Sequence, residues 1–202
     1  MNPQRWVADY LEQYRRTLAE ADARPRIVEL KRLLAATRAA GKKVILAGNG
    51  GSAAIASHCA VDLSKSAGIR AVNFNEADLI TCLANDYGYE QWVQKALELY
   101  ADDGDLVILI SSSGRSSNMV NAGRYAQARG LTLVTLSGFR PDNPLRALGR
   151  LNFWVDSDGY NIVEMTHHIW LLAACDLIVQ ESTAPLKAVA AAGKRAKAGA
   201  KA

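Results

Sequence analysis

The hydrophobic positions along the chain follow two different periods. In residues 3–22 and 25–39, apolar side chains recur every three or four residues, which is the spacing of amphipathic helices. Further along, apolar residues form short unbroken runs, which are typical of strands buried on both faces of a parallel sheet. The five runs are Lys43–Ala47, Ala71–Phe74, Leu106–Ile110, Leu131–Leu136 and Asn152–Val155.

Helical stretches separate these predicted strands. They are Ser52–Ser66, Gln91–Tyr100, Ser117–Arg129 and a longer one over about Tyr160–Gln180. Regular alternation of strand and helix favours a sheet that is covered by helices on both faces. The pattern therefore predicts an α/β protein, a three-layer, doubly wound, five-stranded parallel sheet that is preceded by N-terminal helices.

The composition is that of a globular protein. The chain has 202 residues, of which 50% are hydrophobic and 22% charged, and these fractions disfavour disordered, collagen-like and membrane proteins. The length fits one domain, which we place at residues 1–183. Residues 184–202 are mainly Ala, Lys and Gly, and we expect them to form a flexible basic tail.

The net charge of +4 belongs to that tail. Residues 184–202 contain five Lys and Arg residues and no Asp or Glu, so residues 1–183 carry a net charge of −1. A nearly neutral domain lacks the basic surface on which nucleic-acid binding depends. We therefore expect no nucleic-acid partner.

Three cysteines, Cys59, Cys82 and Cys175, lie in apolar contexts and have no metal-binding spacing. We interpret them as buried free thiols, which fits a reducing compartment. The first residues contain no apolar signal-peptide core, and no apolar run approaches the roughly 20 residues that span a bilayer. These patterns predict a cytoplasmic protein without a membrane segment.

The first predicted strand ends in a glycine-rich turn, Gly48-Asn49-Gly50-Gly51-Ser52, that opens a helix. Glycines let backbone N–H groups approach an anion at a helix N-terminus, and a tight turn with a capping serine is the simpler alternative. The turn also fits the dinucleotide pattern G-x-G-x-x-A. Because the next strand ends near Asn73 and Asn75 rather than in a ribose-binding acid, we expect no nucleotide cofactor.

A serine-rich turn, Ser111–Asn118, follows the third predicted strand. Its five serines and one glycine form a set of neutral donors that suits a phosphate monoester. The absence of a lysine after the glycine argues against a nucleoside triphosphate site. A solvated serine-rich loop is the alternative, but ligands of α/β proteins bind at the carboxyl ends of strands, where both turns are predicted.

These two turns, in this order, resemble the sugar isomerase (SIS) domain family, and together with the segment Ala84–Tyr89 they resemble its phosphoheptose isomerases. The resemblance covers nearly all of the chain up to about Gln180. It implies an aldose–ketose isomerase that interconverts sedoheptulose 7-phosphate and a heptose 7-phosphate for lipopolysaccharide or capsule synthesis. It also implies a homotetramer in which the N-terminal helices, about residues 1–40, pack between subunits.

The resemblance implies roles for individual residues as well. The phosphate would be held by serines of the second turn, namely Ser111, Ser112, Ser113 and Ser116. The sugar would contact Asn49, Gly50, Gly51, Ser52 and Asp86. Some members of the family bind zinc in this pocket.

Isomerisation through an enediol needs groups that exchange protons near neutral pH, and His and carboxylate side chains suit that chemistry. His58 and Asp62 are four residues apart and share one helix face. On the last predicted helix the candidates are Glu164, His167 and His168. We predict that Asp62 and His167 are the catalytic acid–base pair and that Glu164 or His168 orients it.

The chain departs from the isomerases that it resembles on two helices. Asp62 stands where they carry Glu, Val163 where they carry Gln, and Leu171 where they carry a catalytic His. Asp is one methylene shorter than Glu, which changes its reach by roughly 1.5 Å. Two functions therefore stay open, an isomerase in which another histidine acts, and a non-catalytic SIS protein that binds sugar phosphates as a sensor or adaptor.

Four of these side chains also offer nitrogen and oxygen ligands of the kind that Zn²⁺ accepts. They are His58, Asp62, Glu164 and His167. The sequence thus leaves two possibilities open, a zinc site formed by these residues and a site without a metal.

Deletion of residues 184–202 should leave the affinity for sugar phosphates unchanged, because the predicted phosphate donors are hydroxyl and backbone N–H groups of the domain. Calorimetric titration of both chain lengths with the same sugar phosphate measures this. Loss of affinity on truncation would show that the cations of the tail take part in binding.

Overall fold

The core of the protein is a five-stranded sheet in the order β2-β1-β3-β4-β5. The structure, a computed structural model, describes residues 1–19 and 23–199, and side chains up to residue 182. All four strand pairs are parallel, so the predicted fold class is confirmed. The strands are β1 (Val44–Gly48), β2 (Ala71–Asn73), β3 (Leu106–Ser111), β4 (Thr132–Ser137) and β5 (Leu151–Trp154).

The helices include one that was not among the predicted elements. They are α1 (Pro3–Leu18), α2 (Ala23–Ala39), α3 (Gly51–Lys65), α4 (Ala77–Tyr87), α5 (Trp92–Tyr100), α6 (Ser117–Ala128) and α7 (Tyr160–Gly199). Helix α4 is the addition. Its Leu79, Ile80 and Leu83 recur at helical spacing, but they cover little more than one turn, which is too short a stretch to predict a helix.

Two hydrophobic cores lie on opposite faces of the sheet, because successive strand residues point in opposite directions. Val44 and Leu46 of β1 pack on the face that carries α2, α3 and α7. Ile45 and Ala47 pack on the other face, with α4, α5 and α6. Burial on both faces explains why the strand sequences are unbroken apolar runs rather than alternating ones.

The central pair of strands positions the site. Strand β1 has β2 on one side and β3 on the other, and Gly48 at its end pairs with Ile110 near the end of β3. Since the two strands are parallel, the turns that follow them leave the same edge of the sheet. This is the point where the strand order reverses, at which open α/β sheets bind their ligands.

Helix α7 closes one face of the sheet. Its segment Tyr160–Ser182 has the length and the mean hydropathy, 1.5, of a membrane span, but half of its apolar window is buried inside the protein. Trp170 and Ile178 are among the buried residues. The predicted tail, residues 184–202, lies outside the residues whose side chains are described, so its flexibility and the domain boundary at residue 183 stay predictions.

Candidate active site

The turns after β1 and β3 enclose a cavity of about 100 Å³ at the carboxyl edge of the sheet. Its walls come from these two turns and from the start of α7. The lining residues are Asn49, Ser52, Ile110, Ser111, Ser112, Ser113, Ser116, Tyr160 and Glu164. The structure thus brings together six of the nine predicted substrate-binding residues, and Gly50 and Gly51 belong to the same turn.

The glycine-rich turn needs its glycines for two different reasons. Gly50 has a φ of 54°, in the left-handed region that favours glycine. Gly51 begins α3, and a Cβ at this position would lie 2.2 Å from Oε2 of Glu164. Absence of a side chain at Gly51 therefore lets a carboxylate approach the N-terminus of α3, where the helix dipole favours negative charge.

The serine-rich turn is held by its own hydrogen bonds. Ser111 Oγ donates to Ser116 Oγ at 3.2 Å, and the backbone N–H of Arg115 donates to Ser113 Oγ at 3.2 Å. Gly114 has a φ of 63°, and a Cβ here would lie 1.9 Å from Asn143 Oδ1. These contacts set the serine hydroxyls around the cavity at the N-terminus of α6.

The carboxylate of Glu164 enters the cavity from α7. Its Oε1 accepts a hydrogen bond from Ser112 Oγ at 3.4 Å. Tyr160, one turn earlier on α7, also lines the cavity and packs edge-on against Phe139 with ring centroids 4.9 Å apart. Sequence reasoning missed Tyr160, because an aromatic residue at the start of a helix belongs to no chemical motif.

Asn49 contacts two residues that sequence reasoning did not assign to the site. Its amide exchanges two hydrogen bonds with the amide of Asn118, at 2.9 and 3.0 Å. The hydroxyl of Tyr89 donates to Asn49 Oδ1 at 3.1 Å. Asn118 is the last residue of the serine-rich turn, and Tyr89 is the last residue of the segment Ala84–Tyr89. The sequence thus pointed to both motifs, but the residue types Asn and Tyr did not identify these two positions as part of the site.

Asp86 does not line this cavity, although it was predicted to contact the sugar. It lies near the end of α4, where its Oδ1 accepts from Asn85 Nδ2 at 3.0 Å. Cys82 Sγ also approaches its Oδ2 at 3.8 Å, and Asp86 is exposed. Within the segment Ala84–Tyr89, the residue bonded to the cavity lining is Tyr89, through Asn49.

His167, the predicted catalytic histidine, points away from the cavity. Its side chain has no exposed surface, and Nε2–H donates to the backbone oxygen of Ser137 at 3.0 Å. Its Nδ1 is buried without a partner. Burial lowers the pKa of His167 to about 4, so the neutral imidazole is a core group. The geometry therefore corrects the predicted pair of Asp62 and His167, because His167 faces Ser137 on β4 instead.

His168, rather than His167, faces α3, the helix that carries His58 and Asp62. Its Nε2 lies 2.8 Å from Nδ1 of His58, so one nitrogen carries the hydrogen that the other accepts. Nε2 of His58 in turn lies 3.4 Å from Oδ2 of Asp62. Burial and the neighbouring His58 lower the pKa of His168, and Asp62 opposes that shift. The chain of Asp62, His58 and His168 links α3 to α7 one helical turn beyond Glu164.

The four predicted zinc ligands do not come together. His58 contacts Asp62 and His168, Glu164 lies in the cavity, and His167 is bonded to Ser137. Within residues 1–19 and 23–182, no group of three or more His, Cys, Asp or Glu side chains is arranged to hold a metal ion. The four residues predicted from the sequence therefore do not form a zinc site. As with the predicted catalytic pair, one reason is that His167 faces Ser137 in the core.

The two substituted positions on α7 belong to the hydrophobic core. Val163 and Leu171 are both buried in the cluster on the face that carries α2 and α3. A polar side chain buried at either position would need a hydrogen-bond partner, whereas an apolar side chain packs there without one. These positions therefore contribute packing, and the polar chemistry of α7 comes from Glu164 and His168.

The fold and the paired polar turns define the class of protein, and the model of the SIS domain matches residues 9–138. The chain belongs to the SIS domain family, as the resemblance in the sequence implied. Within that family it is similar to the phosphoheptose isomerase of Sulfurimonas denitrificans, with 34% identity over 162 residues. The match covers 77% of this chain and 83% of that relative.

Solved structures give the same result. The phosphoheptose isomerase of Neisseria gonorrhoeae has a TM-score of 0.80 at 26% identity, and the match covers 87% of this chain and 98% of that one. The phosphoheptose isomerase of Francisella tularensis shares the fold, with a TM-score of 0.81 at 24% identity and coverage of 89% and 100%. The predicted relation to phosphoheptose isomerases is confirmed.

The burial of His167 has a measurable consequence. Its folded-state pKa of about 4 is below the ordinary 6.5, so only the unfolded chain takes up this proton between these values. Its contribution to stability is therefore complete above pH 6.5 and is lost as the pH falls towards 4, by about 3 kcal/mol. Denaturant titrations of the wild type and of His167→Gln, which keeps a donor for Ser137, measure the difference. Equal losses of unfolding free energy between pH 7 and pH 4 would contradict a buried neutral His167.

Proposed function

We propose that this protein is a sugar-phosphate aldose–ketose isomerase that acts on sedoheptulose 7-phosphate or a similar ketose phosphate. The observation that carries the proposal is the cavity in which two donor-rich turns face the carboxylate of Glu164. Two relatives named phosphoheptose isomerase, whose matches cover 77% and 79% of this chain and 83% and 87% of their own length, support it.

Phosphate binding would rest on neutral donors. The hydroxyls of Ser111, Ser113 and Ser116 surround the cavity, and α3 and α6 both begin beside it. Helix N-termini stabilise negative charge through their free N–H groups, so a phosphate needs no lysine here. Glu164, which is bonded to Ser112, would then face the sugar rather than the phosphate.

The proton transfer would use Glu164 as base. In the ketose-to-aldose direction a base takes a proton from C1, the enediol forms, and the proton returns to C2 while a hydroxyl proton moves from O1 to O2. Glu164 supplies the carboxylate that lines the cavity. The chain of Asp62, His58 and His168 would serve the hydroxyl protons, because His168 and His58 already share a hydrogen and His58 lies 3.4 Å from the carboxylate of Asp62.

Several further properties are part of the proposal. A homotetramer would cover the exposed apolar side chains of α1, which include Trp6, Val7 and Leu11. A cytoplasmic location and the absence of a nucleotide cofactor fit a sugar-phosphate enzyme with neutral phosphate donors. No step of the reaction is assigned to zinc, since the residues present do not assemble its ligands.

A second function is favoured by a specific observation. Leu171 and His167 are both buried in the core, so neither position offers an imidazole that a ligand in the cavity could reach. A protein that keeps the phosphate donors without turnover would act as a sugar-phosphate sensor or adaptor. Incubation with sedoheptulose 7-phosphate, with aldose formation followed over time, separates the two. Turnover supports the isomerase, and binding without turnover supports the sensor or adaptor.

The serine-rich turn provides a matched pair of variants. Ser113→Ala removes a hydroxyl that lines the cavity, whereas Ser117→Ala removes an exposed hydroxyl of the same turn outside it. A hydrogen bond to a charged group contributes about 1.5–3 kcal/mol, so Ser113→Ala should weaken sugar-phosphate binding at least roughly tenfold. Ser117→Ala should bind as the wild type does. Equal affinity in both variants, measured by calorimetry, would place the phosphate elsewhere.

A further inference from the structure

The amide of Asn49 belongs to a hydrogen-bond network whose direction is set by a backbone group. The N–H of Met119 donates to Oδ1 of Asn118 at 3.1 Å. Because a backbone N–H can only donate, it identifies the oxygen side of the Asn118 amide. Nδ2 of Asn118 therefore faces Asn49 Oδ1, which accepts its hydrogen at 2.9 Å.

The same network uses most of the hydrogen-bonding capacity of Asn49. Its Oδ1 accepts from Asn118 and also from the hydroxyl of Tyr89 at 3.1 Å, which fills both acceptor positions of that oxygen. One hydrogen of Nδ2 is donated back to Asn118 Oδ1 at 3.0 Å. A single Nδ2–H donor remains, on a residue that lines the cavity.

We propose that Asn118 and Tyr89 are positioning residues that hold the Asn49 amide so that its remaining N–H donates to an oxygen of the bound sugar phosphate. The inference rests on the proposed function. A rotated amide would turn its carbonyl oxygen towards the ligand and repel an anionic or carbonyl oxygen. The network thus makes the site specific for an acceptor oxygen at this point.

The two positioning residues differ in how deeply they are buried. Asn118 is 2% exposed at the start of α6, so its amide is fixed by the packing between the two turns. Tyr89 is 54% exposed and follows α4. Its hydroxyl links the segment Ala84–Tyr89 to the cavity through Asn49. Tyr89→Phe therefore removes one hydrogen bond and little else.

A double-mutant cycle tests the proposal, with dissociation constants for sedoheptulose 7-phosphate and inorganic phosphate measured by calorimetry. Asn118→Ala should weaken binding of the sugar phosphate about tenfold and Tyr89→Phe about threefold, since Asn118 makes two of the hydrogen bonds that orient Asn49 and Tyr89 makes one. In the Asn49→Ala background neither change should weaken binding further, because both residues act through Asn49. Tyr89→Phe keeps the test decisive if Asn118→Ala does not fold.

Two more readouts separate positioning from a general loss of structure. KM should rise in both variants while kcat changes less than about twofold, since the amide binds ground state and transition state alike. The control is Asn152→Ala, which removes an amide bonded to Thr135 and Gly149 away from the cavity and should leave affinity unchanged.

The outcomes distinguish this inference from the proposed function. Equal losses of affinity in the wild-type and Asn49→Ala backgrounds would contradict the inference alone, provided that the wild type binds the sugar phosphate. A wild-type chain that binds neither the sugar phosphate nor inorganic phosphate would contradict the proposed function and the inference together.

Discussion

The pairing of β1 with β3 is the constraint on which the site depends. Parallel pairing brings the ends of two strands to one edge of the sheet, although the turns that follow them are some sixty residues apart in the sequence. Each turn opens a helix, so two helix N-termini point to the same space and supply positive potential without cations. Helix α7 then places Glu164 between the turns. The groups that line the site therefore come together because β1 and β3 pair in parallel.

Much of this arrangement could be predicted from the sequence, because its signals are local. Unbroken apolar runs such as Leu106–Ile110 identify strands that are buried on both faces, and helices between them make the sheet parallel. Turns rich in Gly and Ser at strand ends then fall on one edge. The positive φ angles of Gly50 and Gly114 are the structural reason for glycine at these points.

The direction of each side chain could not be predicted in the same way. His167 and His168 are neighbours on one helix, so a rotation of about 100° decides which of them faces β4 and which faces α3. Tertiary packing makes that choice, since His167 fills a core position beside Ser137 while His168 meets His58. The same limit explains Asp86, which shares a motif with Tyr89 but points to solvent. Residue type identified the polar groups, and only the packing showed which of them meet.

We propose that the cavity between the two turns binds the phosphate group of a sugar phosphate. The most direct measurement is a crystal structure of the protein with sedoheptulose 7-phosphate. We expect the phosphate oxygens to accept hydrogen bonds from the hydroxyls of Ser111 and Ser113, with the sugar extending past Glu164 towards His168. A phosphate bound instead in the surface groove between Arg26 and Arg146 would contradict it.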